Sequence, residues 1–291
     1  MTLFPVLSIH QFDENGAEHE LYVNTFAGHL RKHHADISLP HKHDFYLSVL
    51  FTRGTGMHEI DFRRYEVSPG AVFFLQPGQT HYWELSDDIE GIVFFHSAAF
   101  YGLHFPHGQL AEFPFFFSRQ NEPYLKVAAE QLPDITDLYR EMLAEFRSRL
   151  AFRYRKIASL MNCVYIDLSR IYEQTHPGRL GAVQRYAPTF SAFETLIEAH
   201  YRQEKSAGFY ADRLNIGQKH LNRISRENSG KTSTEVILER VMLEAKRLLS
   251  AGGRNLNEIA RELGYEEYAY FSRLFRRYCG ESPRTFLKRY H

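Results

Sequence analysis

The sequence predicts an α+β multidomain chain: an N-terminal β-barrel or sandwich with amphipathic helices, then a C-terminal all-α module of two helix-turn-helix motifs. Three observations predict it. Short β-branched and aromatic runs, separated by Gly and Pro turns, crowd residues 20–100. Gly and Pro vanish between Asp134 and Glu173, where apolar residues recur at helical spacing. Charge then divides the chain. Residues 1–180 hold 16 Lys/Arg against 22 Asp/Glu, net −6, and residues 181–291 hold 19 against 13, net +6. The formal zero of the 291-residue whole therefore hides one acidic and one basic module.

Composition excludes several classes. Hydrophobic residues are 44% and charged residues 24%, a globular balance. No stretch approaches the roughly 18 apolar residues of a membrane helix. Met1 to Ile9 is apolar but lacks a basic start and a small-residue cleavage pattern, so no signal peptide is expected. The two cysteines, Cys163 and Cys279, are far apart and form no CxxC, which suits a reduced, cytoplasmic location.

The strand readings run in order. Phe45–Phe51 ends at Arg53-Gly54-Thr55-Gly56. Met57–Phe62 and Tyr65–Val67 follow, then the turn Ser68-Pro69-Gly70. Ala71–Leu75 closes at Gln76-Pro77-Gly78-Gln79, and Thr80–Leu85 and Gly91–His96 complete the set. Phe113–Phe117 is a short aromatic run broken by Pro114. Leu138, Met142, Leu143, Phe146, Leu150, Ile157, Leu160, Met161, Val164, Leu168 and Ile171 read as two amphipathic helices or one long one. They are expected to pack on the barrel and to form a homodimer seam. Domain bounds follow: a barrel over 1–120, a helical packing and dimerisation segment over 121–175, a Pro- and Gly-bearing linker over 176–188, and the basic helical module over 189–291.

The basic module contains a repeat. Arg223-Ile224-Ser225-Arg226, with Gly230 after it, returns 50 residues later as Arg273-Leu274-Phe275-Arg276 with Gly280. Ala211 to Ile216 returns as Ala260 to Tyr265 at an offset of 49. Each copy has a short helix with Ala at a close crossing, a tight turn (Asn215-Ile216-Gly217; Gly264-Tyr265-Glu266), and a second helix. That helix buries Leu221 and Ile224 in one copy, and Phe271, Leu274 and Phe275 in the other. Its other face shows Lys219, Asn222, Arg223 and Arg226, or Tyr268, Arg273, Arg276 and Arg277. Thr232 with Glu235 and Asn255 with Glu258 read as capping boxes, and Ser282-Pro283 as a helix start. Gly230 and Gly280 sit where C-terminal caps belong. Arg, Asn and Gln reach base edges, and flanking cations hold phosphates, so paired units of this kind suit double-stranded DNA.

Ile259-Ala260-Arg261-Glu262-Leu263-Gly264-Tyr265, Tyr270 to Arg277, and Gly280-Glu281-Ser282-Pro283 resemble the signature of the AraC/XylS family of bacterial transcription regulators, and the resemblance covers residues 189–291. It implies sequence-specific binding to promoter DNA, with base readout mapping onto Lys219, Asn222 and Arg223, and onto Tyr268, Ala269 and Arg273. Ser225 departs from the pattern, standing where the family usually has an aromatic, as Phe275 does in the second copy.

Upstream, Pro40-His41-Lys42-His43 and Gly70 through His81 resemble the two motifs of the cupin barrel, the usual effector domain of such regulators. The resemblance implies a cupin-like β-barrel in which His41, His43 and His81 match a metal-binding set, while Leu47 or Ser48 stands where an acid is needed. Three neutral imidazoles can bind Zn²⁺, Ni²⁺ or Fe²⁺. They can equally line a pocket by hydrogen bonds, and no cofactor is required. Alternation puts His41, His43, Phe45, Leu47 and Val49 on one face of their strand, and likewise His81 and Trp83 on one face of theirs. The expected ligand set is His41, His43, Phe45, His81 and Trp83, suiting a sugar or an aromatic acid, with Arg53 on the rim. The expectation is a non-enzymatic regulator answering to a small effector, with RNA polymerase a partner if it activates. A cupin metalloenzyme with a helical appendage, and an effector-independent DNA-binding regulator, are the alternatives.

Overall fold

A computed structural model of the chain describes residues 4–12, 20–37, 39–176 and 179–290. Two compact units divide it between Gly181 and Ala182. Among the described residues no helix is long and apolar enough to cross a membrane.

The first unit is β-rich. Its elements are β1 (Val6–Leu7), β2 (Leu21–Thr25), α1 (Phe26–Ile37), β3 (Lys42–His43), β4 (Tyr46–Arg53), β5 (Gly56–Ile60), β6 (Arg63–Val67), β7 (Ala71–Leu75), β8 (His81–Leu85) and β9 (Glu90–His96). Then come α2 (Ala98–His104), α3 (Pro114–Phe117), β10 (Tyr124–Lys126), α4 (Leu132–Arg147) and α5 (Arg153–Thr175). One antiparallel sheet has the order β10-β7-β4-β9-β2, and a second has β6-β5-β8. β1 pairs in parallel with β3. Turns at Gly54, Gly70 and Gly78 take positive φ, where glycine carries no steric penalty.

The two sheets share a core. Leu47, Val49 and Phe51 of β4 meet Phe73, Val93 and Phe95 on it, with Ile60 from the smaller sheet. The opposite face of the larger sheet is also covered. Leu50, Val72, Phe74 and Phe94 pack with Tyr139 and Met142 of α4 and with Ile157, Met161, Tyr165 and Leu168 of α5. Burial on both faces explains why Tyr46–Phe51 reads as a continuous apolar run. Two buried polar contacts lock the helices on: Ser48 Oγ to Tyr139 Oη at 2.6 Å, and Tyr165 Oη to His96 Nε2 at 2.9 Å.

The helical stretch is two helices, α4 and α5, with the break at residues 148–152. Their apolar stripe faces the sheet, and the outer side of α5 shows Cys163 and Ile166. Where a linker was expected over residues 176–188, His176 caps α5, residues 177 and 178 lie outside the described residues, and 179–188 are helix: α6 (Arg179–His200) with Pro188 inside it. Proline loses one backbone donor and crowds the preceding turn, so the sequence favours a break there.

The second unit continues with α7 (Ala207–Arg213), α8 (Gln218–Ser229), α9 (Ser233–Ser250), α10 (Leu256–Glu262), α11 (Tyr268–Cys279) and α12 (Pro283–Tyr290). The repeat survives in three dimensions at the offsets read from sequence. Ala211 and Ala260 are both 1% exposed. Asn215 (φ 54°) and Gly264 (φ 77°) take the left-handed turn position in their copies. Ile216 N–H donates to Ala211 O, as Tyr265 N–H does to Ala260 O. Gly230 and Gly280 end α8 and α11 with φ 74° and 80°. Both capping boxes form, and Ser282 Oγ accepts from Thr285 N–H. α9, about 27 Å long at 1.5 Å per residue, is packed by α7, α8, α10, α11 and α12.

Ion pairs bind this unit internally. Buried Glu244 meets Arg202 at 3.3 Å, Arg240 at 3.2 Å and Arg247 at 3.6 Å. Arg202 also meets Glu262 of α10 at 3.4 Å, and Arg240 meets Glu198 at 2.7 Å. Part of the basic excess is therefore structural.

Candidate functional site

The exposed faces of α8 and α11 are the candidate nucleic-acid interface. Amphipathic spacing builds each: Leu221, Ile224 and Ser225 of α8, and Phe271 and Phe275 of α11, are buried. Leu274, expected in the core, is only half-buried. The opposite face of α11 exposes Ala269, Arg273, Arg276 and Arg277, with Tyr268 half-buried in the first turn. None of those three arginines has an ion pair or side-chain hydrogen bond among the described residues.

The corresponding face of α8 differs. Lys219 and Arg226 are exposed. Asn222, however, is half-buried, and its Oδ1 accepts from the Ser233 N–H at 3.2 Å, satisfying the start of α9. Arg223 donates to Tyr186 Oη of α6 at 3.1 Å, with its guanidinium 5.6 Å from that ring. Two of the three expected base readers of the first copy are thus engaged within the unit, whereas Arg273, the counterpart of Arg223, is not.

Ser225 is fully buried, and its hydroxyl has no hydrogen-bond partner among the described residues. An unsatisfied buried hydroxyl costs about 1–3 kcal/mol. Ser225→Ala should therefore stabilise the helical unit by about 1 kcal/mol, read by chemical denaturation. A loss of stability would show that the hydroxyl is satisfied in solution.

The second constellation lies inside the β unit. His41, just before β3, forms an isolated backbone bridge with His81 at the start of β8, the two donating to each other at 3.1 and 2.9 Å. All five expected ligand residues come together. His43 stacks on Phe45 at 4.5 Å, His81 meets Trp83 edge-on at 5.3 Å, and the ring nitrogens of His41, His43 and His81 lie within 4.8 Å of one another. The three histidines and Phe45 are buried, and Trp83 is half-buried.

A further histidine, not picked out from the sequence, completes the cluster. His58 on β5 is the register partner of Trp83 and stacks on it at 3.4 Å. His58 Nε2 lies 2.9 Å from His81 Nδ1, and His81 Nε2 lies 2.8 Å from His43 Nε2. Burial first, and neighbouring imidazoles second, hold His43, His58 and His81 well below the usual histidine range. A neutral His81 has one N–H, so it donates to one neighbour and accepts from the other.

His41, His43 and His81 are the residues that could hold a metal. Two imidazoles on one tetrahedral Zn²⁺ stand about 3.3 Å apart, given bonds of about 2.0–2.1 Å. The 2.8 Å between His43 and His81 is instead hydrogen-bond spacing. Leu47 packs into the shared core where an acid ligand would be needed. The geometry is that of a hydrogen-bonded imidazole chain, and these residues do not fit a metal as they stand. Arg53 is on the surface, 3.4 Å from Asp88 and 3.6 Å from Glu90.

Comparison with known proteins follows the same division. Residues 25–159 match the family described as AraC-like ligand binding domain, and residues 210–289 match that described as helix-turn-helix domain. The HTH-type transcriptional activator RhaR of Yersinia pseudotuberculosis serotype O:1b is 22% identical over 253 residues, 86% of this chain and 84% of the relative. The HTH-type transcriptional activator RhaS of Citrobacter koseri is 25% identical over 251 residues, 84% of this chain and 85% of the relative. Among solved structures, unsaturated fatty acid-bound ToxT from Vibrio cholerae aligns at a TM-score of 0.41 and 15% identity, over 94% of this chain and 96% of that one.

Proposed function

The chain belongs to the AraC family of transcription regulators, and from that premise we propose that it activates transcription by binding promoter DNA under the control of a small effector. One observation carries the reading: α11 exposes Arg273, Arg276 and Arg277 without partners among the described residues, on the second copy of a duplicated helix-turn-helix. Arg273 is the base reader, and Tyr268 and Ala269 flank it at the start of the helix. Lys219 reads bases from the first copy, and Arg276, Arg277 and Arg226 hold phosphates. Asn222 and Arg223 join the readout once DNA displaces their internal partners. As an activator, the chain has RNA polymerase as its further partner.

The β unit serves as sensor rather than enzyme. Its effector is held by His41, His43, Phe45, His81 and Trp83. Imidazoles kept neutral by burial donate and accept without adding charge, which favours an uncharged hydroxyl compound such as a sugar, with Trp83 beside it. Control requires that the effector bind two states of the chain with different affinity.

Arg273→Ala should cost about 1–3 kcal/mol and relax specificity at one base position. Arg276→Ala or Arg277→Ala should weaken all sequences alike and flatten the dependence on salt. A promoter footprint unchanged by Arg273→Ala would remove α11 as the reader.

A further inference from the structure

A second concave site lies outside the imidazole cluster. β2 and α1 line one side and the end of α4 the other, around a cavity of about 350 Å³. Its floor is aromatic. Phe12 and Tyr22 are buried and meet edge-on at 6.1 Å, and the Tyr22 ring lies 6.5 Å from that of Phe146. Its rim is cationic, with Arg31 and Lys32 from α1 and Arg147 from the last turn of α4. No carboxylate stands among the described lining residues.

That composition runs against the unit around it, which is net acidic. Two guanidinium groups beside an apolar floor favour an anion between them. Arg31 and Arg147 make no ion pair among the described residues. In the first turn of α1, a Cβ on Gly28 would meet Thr25 Oγ1 at 2.8 Å and Asn24 Oδ1 at 2.9 Å, so the glycine makes room for those two side chains.

We propose that this cavity binds an organic carboxylate with an aromatic body, its carboxylate held by Arg31 and Arg147 and its ring on Tyr22 and Phe146. Guanidinium groups pair with carboxylates through charge-assisted, directional N–H donors. A cavity of a few hundred Å³ suits a small molecule. The neutral imidazole cluster offers no charge to such an anion, so the two sites take ligands of different chemistry.

Calorimetric titration of the full chain with 2-naphthoate and with 2-naphthamide tests this. The acid should bind roughly tenfold or more tightly than the amide, which has the same rings and no charge. R31Q and R147Q should each weaken the acid by roughly tenfold and leave amide binding unchanged, with thermal melts confirming the fold. W83F should leave the acid's affinity as it was. Equal affinity for acid and amide, wild-type affinity in both arginine variants, loss on W83F, or no binding of the acid would each overturn the proposal. Promoter binding through α11 is measured separately and stands or falls apart from these outcomes.

Discussion

The β unit is expected to lose stability as the pH falls from 7 toward 5 while the helical unit keeps its own. Burial, aided by the charges of His33 and His41, lowers the pKa of His29 to about 3. Burial lowers that of His96 to about 4, with the Ser97 carbonyl pulling weakly the other way. Both stay neutral in the fold at pH values where the unfolded chain takes up a proton. Their contribution is therefore fully present above the unfolded pKa of about 6.5 and declines as pH falls below it. Each group loses about 1.4 kcal/mol per pH unit, so the two together remove roughly 4 kcal/mol by pH 5. His43, His58 and His81 shift in the same direction. Against a domain stability of about 5–15 kcal/mol, that is a large share of the margin and lowers the melting temperature of the unit. Trp83 is the single tryptophan and sits in the β unit, so its fluorescence reports that unit alone. Far-ultraviolet circular dichroism reports the helices of both units, and the signal that survives the Trp83 transition reports the helical unit. A melting temperature of the β unit that stays flat between pH 7.5 and 5 would show that these imidazoles reach water.

What the sequence disclosed was local, and what it concealed was tertiary. β5 to β9 are bounded by Gly, Pro and Asp turns, so their edges were legible. So were the caps at Thr232, Asn255 and Ser282, where a side chain bonds a backbone N–H three residues on. β2 and α1 were not: Leu21–Thr25 runs into helix without a turn residue, and Gly28 sits within that helix. His41, His43 and His81 could be gathered because their spacing resembles a known barrel motif. His58 could not, because its place depends on β5 pairing with β8 in the register that sets it opposite Trp83. Alternation along β5, carried through to the facing strand, was the signal available. On α8 the exposed face was legible from periodicity, but the partners of Asn222 and Arg223 come from α9 and α6, and no local pattern reveals them.

Gly264→Ala should destabilise the helical unit by about 3–5 kcal/mol and abolish promoter binding at physiological temperature. Two effects add. The residue holds φ +77°, a conformation that costs a side-chain-bearing residue about 1–2 kcal/mol. A Cβ there would also stand 2.2 Å from the Arg202 carbonyl oxygen and 2.4 Å from Lys205 Nζ. The carbonyl cannot easily retreat. Arg202 is tied to Glu244 and Glu262, and its carbonyl accepts from Lys205 Nζ at 2.5 Å. Asn215, at the same place in the first copy, has φ +54°, so a side chain is accommodated there. The pair of copies separates the two effects. Gly264→Asn relieves part of the φ penalty, since Asn tolerates left-handed backbone, but keeps the clash. It should therefore remain close to Gly264→Ala in denaturation midpoint, while Asn215→Gly changes it little. If Gly264→Asn instead behaved like wild type, backbone conformation alone would explain the glycine, and the close approach of the Arg202 loop to the second turn would have no energetic weight.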